Sequence, residues 1–437
     1  MGADALSRPV RSATIISGER MTDPLPVEIL QTIFEYVQQH GEPLLPWSLT
    51  CPTFHHLAQV SLFRTIRLYS CSRAESLEGI LLKSPSILPH VKQVFVIHGH
   101  HEDIARGRSL LHHSSLALLL RMLHDEGYIE ELEVSWFTPS GRPRWVKLSW
   151  EYDFSTDIRQ ALQDLIRRGS LKTLHLESIH DIPAAETFDL STLKELSLHN
   201  VVVDSRDKLS GQEPTTPSNL EIIQVSGNGA SLFMQWLRTH YQTPSLKRIS
   251  ISIPLQPDDT IAGLDEIAAV NEPIMDNWES LEQIDIYSNR ADSLDPGFTD
   301  LNLSRHLKLK ILAKRVDYYC DTDYAHLPPP SPSLVDLVST IDPESTVQIR
   351  LTLYAHFLSL SSFGSLAGID LTPLADVLEE KRAVSLHIWV CSNWHMRTAS
   401  IKALLENQLE SLQRQGRLRV RTTDVIGDAR FWEVDLR

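Results

Sequence analysis

The chain has 437 residues, more than one ordinary globular core holds, which predicts two domains or one elongated repeat array. A formal net charge of −15, with no stripe of Lys and Arg, argues against a nucleic-acid binder, whose phosphate contacts need clustered cations. No apolar run approaches the ~18–20 residues that cross a bilayer, so no membrane partner is expected.

Cys51, Cys71, Cys320 and Cys391 lie far apart and form no CxxC pair, which points to a reducing compartment, cytoplasmic or nuclear. Residues 1–21 lack an apolar signal core and read as a disordered lead. The first helix is expected just beyond them. Pro26 suits a first helical turn, and Glu28 favours the helix dipole there. Ile29, Leu30, Ile33, Phe34 and Val37 then follow at helical spacing and form a broad apolar stripe. Gly41-Glu42-Pro43 breaks the helix, and Trp47-Ser48-Leu49 begins a second element. Pro52 opens a third through Ala58, and Leu62 to Leu68 alternates like a strand. Three helices in about 45 residues bury little surface alone, so this module predicts a docking surface.

Three blocks in this order, Leu25-Pro26-x-Glu28-Ile29-Leu30-x-x-Ile33-Phe34, Ser48 to Phe54, and Leu57-Ala58 with Leu62 to Ile66, resemble the F-box in its fungal form. The family usually has Trp where this chain has Phe54. The resemblance covers residues 22–68 and implies binding to the small adaptor subunit of cullin-RING ubiquitin ligases, and through it to a cullin. Its contact positions fall on Leu25, Pro26, Ile29, Leu30, Ile33 and Phe34.

Residues 69–325 carry a degenerate period. The pattern Φ-x-x-Φ-x-Φ, with Φ apolar, recurs from Val91-Val94-Val96 through Ile129-Leu132-Val134, Leu171-Leu174-Leu176 and Leu193-Leu196-Leu198. It continues in Leu220-Ile223-Val225, Leu246-Ile249-Ile251 and Leu281-Ile284-Ile286, many units opening Leu-Lys or Leu-Glu. Each unit ends in strand-like alternation. Helical patterns lie between, as at Ser114 to His124, Ile158 to Ile166 behind a Ser155 or Thr156 cap, and Ser231 to His240. Arg167, Arg168 and Gly169 close the middle one. Strand, helix and strand at intervals of 22 to 42 residues predict an α/β fold resembling an irregular leucine-rich-repeat solenoid, with parallel strands and outer helices. The alternative is an α/β domain around a parallel sheet.

Only Asn228 and Asn289 stand where a standard repeat places its turn Asn, and Lys310 in an apolar slot is expected to break the register near His306 to Arg315. The polar loop Asp204 to Ser218 reads as a mobile insertion, and residues 326–333 as an extended Pro/Ser break. Residues 334–437 continue the alternation as terminal repeats and cap: strands at Val347 to Tyr354, Val384 to Val390 and Leu418 to Thr422, helices at Thr372 to Arg382 and Ala399 to Gln415, and a stop at Gly416.

Chemistry is thinly represented. His98, His100 and His101 with Glu102 and Asp103 form the most metal-like cluster, but no second ligand set accompanies them, so no metal is expected. No GxSxG, P-loop, GxGxxG or HExxH is present, so neither a cofactor nor an enzymatic activity is expected. The remaining surface is the strand face turned from the core: Glu131, Glu133, Thr173, His175, Glu177, Glu195, Ser197, His199, Gln224, Arg248, Ser250, Gln283, Asp285 and Tyr287. Its first half is acidic and His-containing, and Glu131, Glu133, His175, Glu177, Glu195 and His199 are the expected contacts for a cationic target protein. These expectations describe a ubiquitin-ligase substrate receptor. The alternatives are a repeat scaffold acting outside a ligase and an enzyme with an unrecognised site.

Overall fold

The inward positions of the repeated pattern are all buried, and they become the spine of one long parallel sheet. A computed structural model describes residues 26–39, 44–50, 52–99, 103, 105–126, 128–136, 147–204, 216–227, 229–253, 271, 274–277, 279–288, 301–320, 332–357, 371–392 and 398–424. The chain divides into two compact units, Met1–Phe63 and Arg64–Arg437.

In the first unit, helices span Val27–Gln39, Leu44–Ser48 and Pro52–Arg64. The last of these corrects the expected strand: Leu62 and Phe63 are helical, and only Thr65–Leu68 is extended. Phe34, Phe54 and Ala58 form the core, with Leu30, Ile33, Leu44, Trp47 and Leu57 packed against it. The Trp47 and Phe54 rings meet at 5.6 Å between centroids.

In the second unit the strands are β1 (Thr65–Leu68), β2 (Gln93–His98), β3 (Glu131–Trp136), β4 (Leu148–Ser149), β5 (Thr173–Glu177), β6 (Ile179–His180), β7 (Glu195–His199) and β8 (Thr216–Pro217). They continue as β9 (Ile222–Ser226), β10 (Tyr241–Gln242), β11 (Arg248–Ile253), β12 (Gln283–Ser288), β13 (Ile311–Cys320), β14 (Gln348–Phe357), β15 (Ser385–Ser392) and β16 (Leu418–Asp424). The main sheet has 12 strands in the order β1-β2-β3-β5-β7-β9-β11-β12-β13-β14-β15-β16, each parallel to its neighbours. A doubly wound sheet reverses its strand order at a switch point. Here the sheet grows in chain order from end to end, an α/β architecture consistent with a solenoid. Two small parallel ribbons, β4 with β6 and β10 with β8, were not foreseen.

Helices at Cys71–Lys83, Ser114–Glu126 and Thr156–Arg167 join the early strands, and neighbours pack in succession. Ser155 caps the third by accepting from the Ile158 N–H, and the helix ends at Arg168 without Gly169 entering the left-handed region. The Leu-Lys and Leu-Glu openings have a structural use. Lys172 pairs with Glu130 at 2.9 Å, Lys194 and Lys247 with Glu221 at 3.1 and 2.6 Å, and Lys310 with Glu282 at 2.6 Å. Exposed pairs of this kind contribute about 0–1 kcal/mol each, so they order the edge more than they hold it.

Turns after the strands repeat as well. Ser178 (φ 60°), Asn200 (φ 53°) and Gly227 (φ 93°) each stand two places beyond the last inward residue, in the left-handed region. Each donates its N–H to the next strand, onto the carbonyls of His199, Ser226 and Ser252 at 2.7, 2.7 and 2.9 Å. Asn and Gly tolerate this conformation, and the positive φ at Ser178 is strained. Asn228 and Asn289 lie outside the described residues.

Lys310 does not break the register. The triplet re-forms as Leu309, Leu312 and Lys314, with Lys314 only 4 % exposed between Ile286 and Leu351 in the neighbouring strands. The sheet carries this Lys because backbone pairing and its apolar neighbours set the frame. Pro332 and Ser333 begin a helix, Pro332–Ser339, instead of extending the break, and the rest of that break lies outside the described residues. The expected long C-terminal helix is two, Thr398–Gln408 and Glu410–Arg414, followed by Gly416 at φ 69°. The Asp204 to Ser218 insertion lies mostly outside the described residues; its end pairs as β8, and Ser218 is buried. Among the described residues, no helix is long and apolar enough to cross a membrane.

Candidate functional site

The helix Val27–Gln39 starts where its composition predicts: the Pro26 carbonyl accepts from the Ile29 and Leu30 N–H groups at 3.0 and 3.2 Å. Its stripe then divides. Phe34 is 5 % exposed, a member of the core, so it is corrected from contact residue to interior residue. Leu30 and Ile33 are partly spent on the same core. Pro26 is exposed, Ile29 is 46 % exposed, and Leu49 after the second helix is 80 % exposed. Leu25 lies outside the described residues. The unit thus satisfies one side of its helices and leaves an apolar remainder on the surface.

The strand face forms lanes. Gln93, Glu131, Thr173 and Glu195 stand side by side, then Ile222, Arg248 and Gln283. One step along, Glu133, His175, Ser197, Gln224, Ser250 and Asp285 are neighbours. Parallel strands about 4.8 Å apart make each side chain cover the next. For that reason the face is half-buried rather than open, and Ser197 and Asp285 are buried outright.

His175 is therefore not the exposed neighbour of Leu174 that alternation suggests. Burial holds its imidazole down to about 4, neutral at pH 7, and its ring lies 5.0 Å from that of His199. His199 shares hydrogen bonds with Ser197 at 3.1 Å and Ser226 at 2.7 Å. Glu131 accepts from the Gln93 amide at 2.6 Å, and Glu133 from the Ser135 hydroxyl at 2.8 Å. Burial, then the Glu131 carboxylate, pushes the Glu195 carboxyl up, with Arg248 pulling it partly back. Glu177 is half-buried at the end of β5, opposite His199. All six expected target contacts thus lie on the adjoining strands β3, β5 and β7. They form a half-buried, hydrogen-bonded band rather than a bare acidic patch.

The metal-like cluster has another use. Asp103 is 6 % exposed, and its Oδ2 accepts from the Cys71 N–H at 2.8 Å, tying a connecting segment to a helix start. Cys71 is free and buried; burial first, then Asp103, pushes its thiol up to about 11, which makes it a poor nucleophile. His98 packs its ring 4.8 Å from Trp136, while His100, His101 and Glu102 lie outside the described residues. Among the described residues, no group of three or more His, Cys, Asp or Glu is placed to hold a metal.

Sequence reasoning stopped the outward band at Tyr287, and the sheet carries it further. Arg350, His387 and Arg419 extend the second lane through Ala313, and Trp389 and Arg421 extend the next one, which begins with Glu177, His199 and Ser226. The signal was present in the alternation of Leu418-Arg419-Val420-Arg421, whose charged members had to face away from the core. Compared with known families and curated proteins, the sequence matches no family model and no curated protein.

Proposed function

We propose that this protein is a substrate-recognition subunit of a cullin-RING ubiquitin ligase, its helical unit an F-box that holds the adaptor and its sheet unit a leucine-rich-repeat-like array that holds the target. The observation that carries this reading is the first unit's incomplete burial. A core of Phe34, Phe54 and Ala58 leaves Ile29 46 % and Leu49 80 % exposed, beside the exposed Pro26. A short helical unit with such a remainder gains stability by burying it against a partner. The resemblance to the F-box assigns that partner. The chain would contribute proximity and no chemistry of its own, holding an acceptor lysine near a charged ubiquitin carrier at raised effective concentration.

Ile29→Asp tests the docking surface better than charges at Leu30 or Ile33, which would also damage the unit's core. Full-length Ile29→Asp should lose co-purification with the adaptor subunit while melting like the wild type. Retained adaptor binding by this variant would remove the docking claim. A wild type that captures no adaptor would leave a repeat scaffold acting outside a ligase.

A further inference from the structure

The outward face changes sign along the sheet. Strands β3 to β7 place Glu131, Glu133 and Glu195 on it, whereas β14 to β16 place Arg350, His387, Arg419 and Arg421 there. Arg350, His387 and Arg419 are successive lane neighbours, and Arg421 stands beside Trp389 in the next lane. Lane neighbours are about 4.8 Å apart, so three guanidiniums and the His387 imidazole share three adjacent strands.

These cations are handled differently from the one in the middle of the sheet. Arg248 is neutralised within the fold by Asp285 at 2.6 Å. Among the described residues, none of Arg350, Arg419 and Arg421 forms an ion pair. Arg350 Nε donates to the Gln348 amide oxygen at 2.6 Å, which orients the guanidinium without discharging it. Its carbon lies 6.0 Å from the centroid of the Trp389 ring, and the His387 ring is 5.9 Å from that same ring. Trp389 and His387 are half-buried, and Arg419 and Arg421 are exposed. Burial first, then the positive charges of Arg419, Arg350 and Arg421, hold His387 below its ordinary range. The guanidiniums are thus near enough to act on one group. Like charges gathered with no counter-charge among the described residues favour an anion between them.

We infer that the outward face of β14 to β16 is a docking surface for an acidic peptide segment of a partner protein, its carboxylates paired with Arg350, Arg419 and Arg421 and an apolar side chain laid on Trp389. Guanidinium matches carboxylate in plane and can bind it through two hydrogen bonds, and Trp supplies apolar area at a defined place. Three guanidiniums in a chain of net charge −15 are too few for nucleic acid, whose binders commonly meet about 6–10 phosphates. The inference deepens the proposed function by naming a chemistry for part of the target. It depends on that function only for the target's fate.

The test uses the full chain and a fluorescein-labelled peptide of repeated Glu-Glu-Phe triplets, followed by anisotropy at low and high salt. The wild type should bind the peptide at low salt and release it at high salt, and the same peptide with Gln for every Glu should not bind. Arg419→Gln with Arg421→Gln should weaken binding about tenfold or more, since two of the three guanidinium contacts are lost. Both positions are exposed, so the double variant should fold normally. No binding at low salt, equal binding by the double variant, or tighter binding of a single-stranded RNA would overturn the inference. Adaptor co-purification reports separately: peptide binding without adaptor binding sinks the ligase reading alone, and the converse sinks this surface alone.

Discussion

Arg248 reaches diagonally across two parallel strands to Asp285, its Nε and Nη2 both donating to Oδ2 at 2.8 and 2.6 Å. Gln283 donates to both oxygens of the same carboxylate, at 2.9 and 3.0 Å. Asp285 is 1 % exposed, so these donors replace the water it has lost. The outward face is therefore a locked polar surface at its centre, and open in charge towards its C-terminal end.

Arg248→Ala should destabilise the sheet unit by about 3–5 kcal/mol, because it strands a buried carboxylate. Adding Asp285→Ala should recover much of that loss, since no charge then remains unpaired. Denaturant melts of the two single variants and the double variant measure the coupling; strictly additive losses would mean the pair does not act as a unit.

His175 makes stability depend on pH. Its folded value of about 4 lies below the usual 6.5, so the fold favours the neutral ring. The contribution is complete above 6.5 and is lost as pH falls through 4, because the unfolded chain binds the proton first. Between pH 7 and pH 5 the sheet unit should lose about 2 kcal/mol through this residue. His175→Gln should flatten that part of the profile, and an unchanged slope would show that the ring is freely protonated in the folded state.

Gly229 is required by space. A Cβ there would lie 1.9 Å from the Val201 carbonyl oxygen, which belongs to the preceding turn. Gly229→Ala should cost about 1–3 kcal/mol or more, since backbone must move. Gly416 has φ 69° but open space around it, and Gly416→Ala should cost about 1 kcal/mol. Thermal melts should rank the two in that order.

Much of this architecture is dictated by local pattern. The seven triplets from Val91-Val94-Val96 to Leu281-Ile284-Ile286 are all buried on adjoining parallel strands, because side chains in a strand alternate and one face must leave water. Caps such as Ser155, and the stop at Gly416, are likewise local, each depending on a few backbone groups. What neighbouring strands do to one another could not be read this way. Alternation calls His175 and Asp285 exposed, but the strands on either side half-bury the first and bury the second, and it calls Phe34 one more member of a stripe, but the third helix closes over it. Along one strand the Lys310 slot is a break in the pattern, whereas β12 and β14 hold β13 in register around Lys314. Arg350 and the Arg419 and Arg421 pair were each visible in the sequence, about seventy residues apart. Only parallel pairing, which sets residues far apart in the chain about 4.8 Å from each other, makes them one surface.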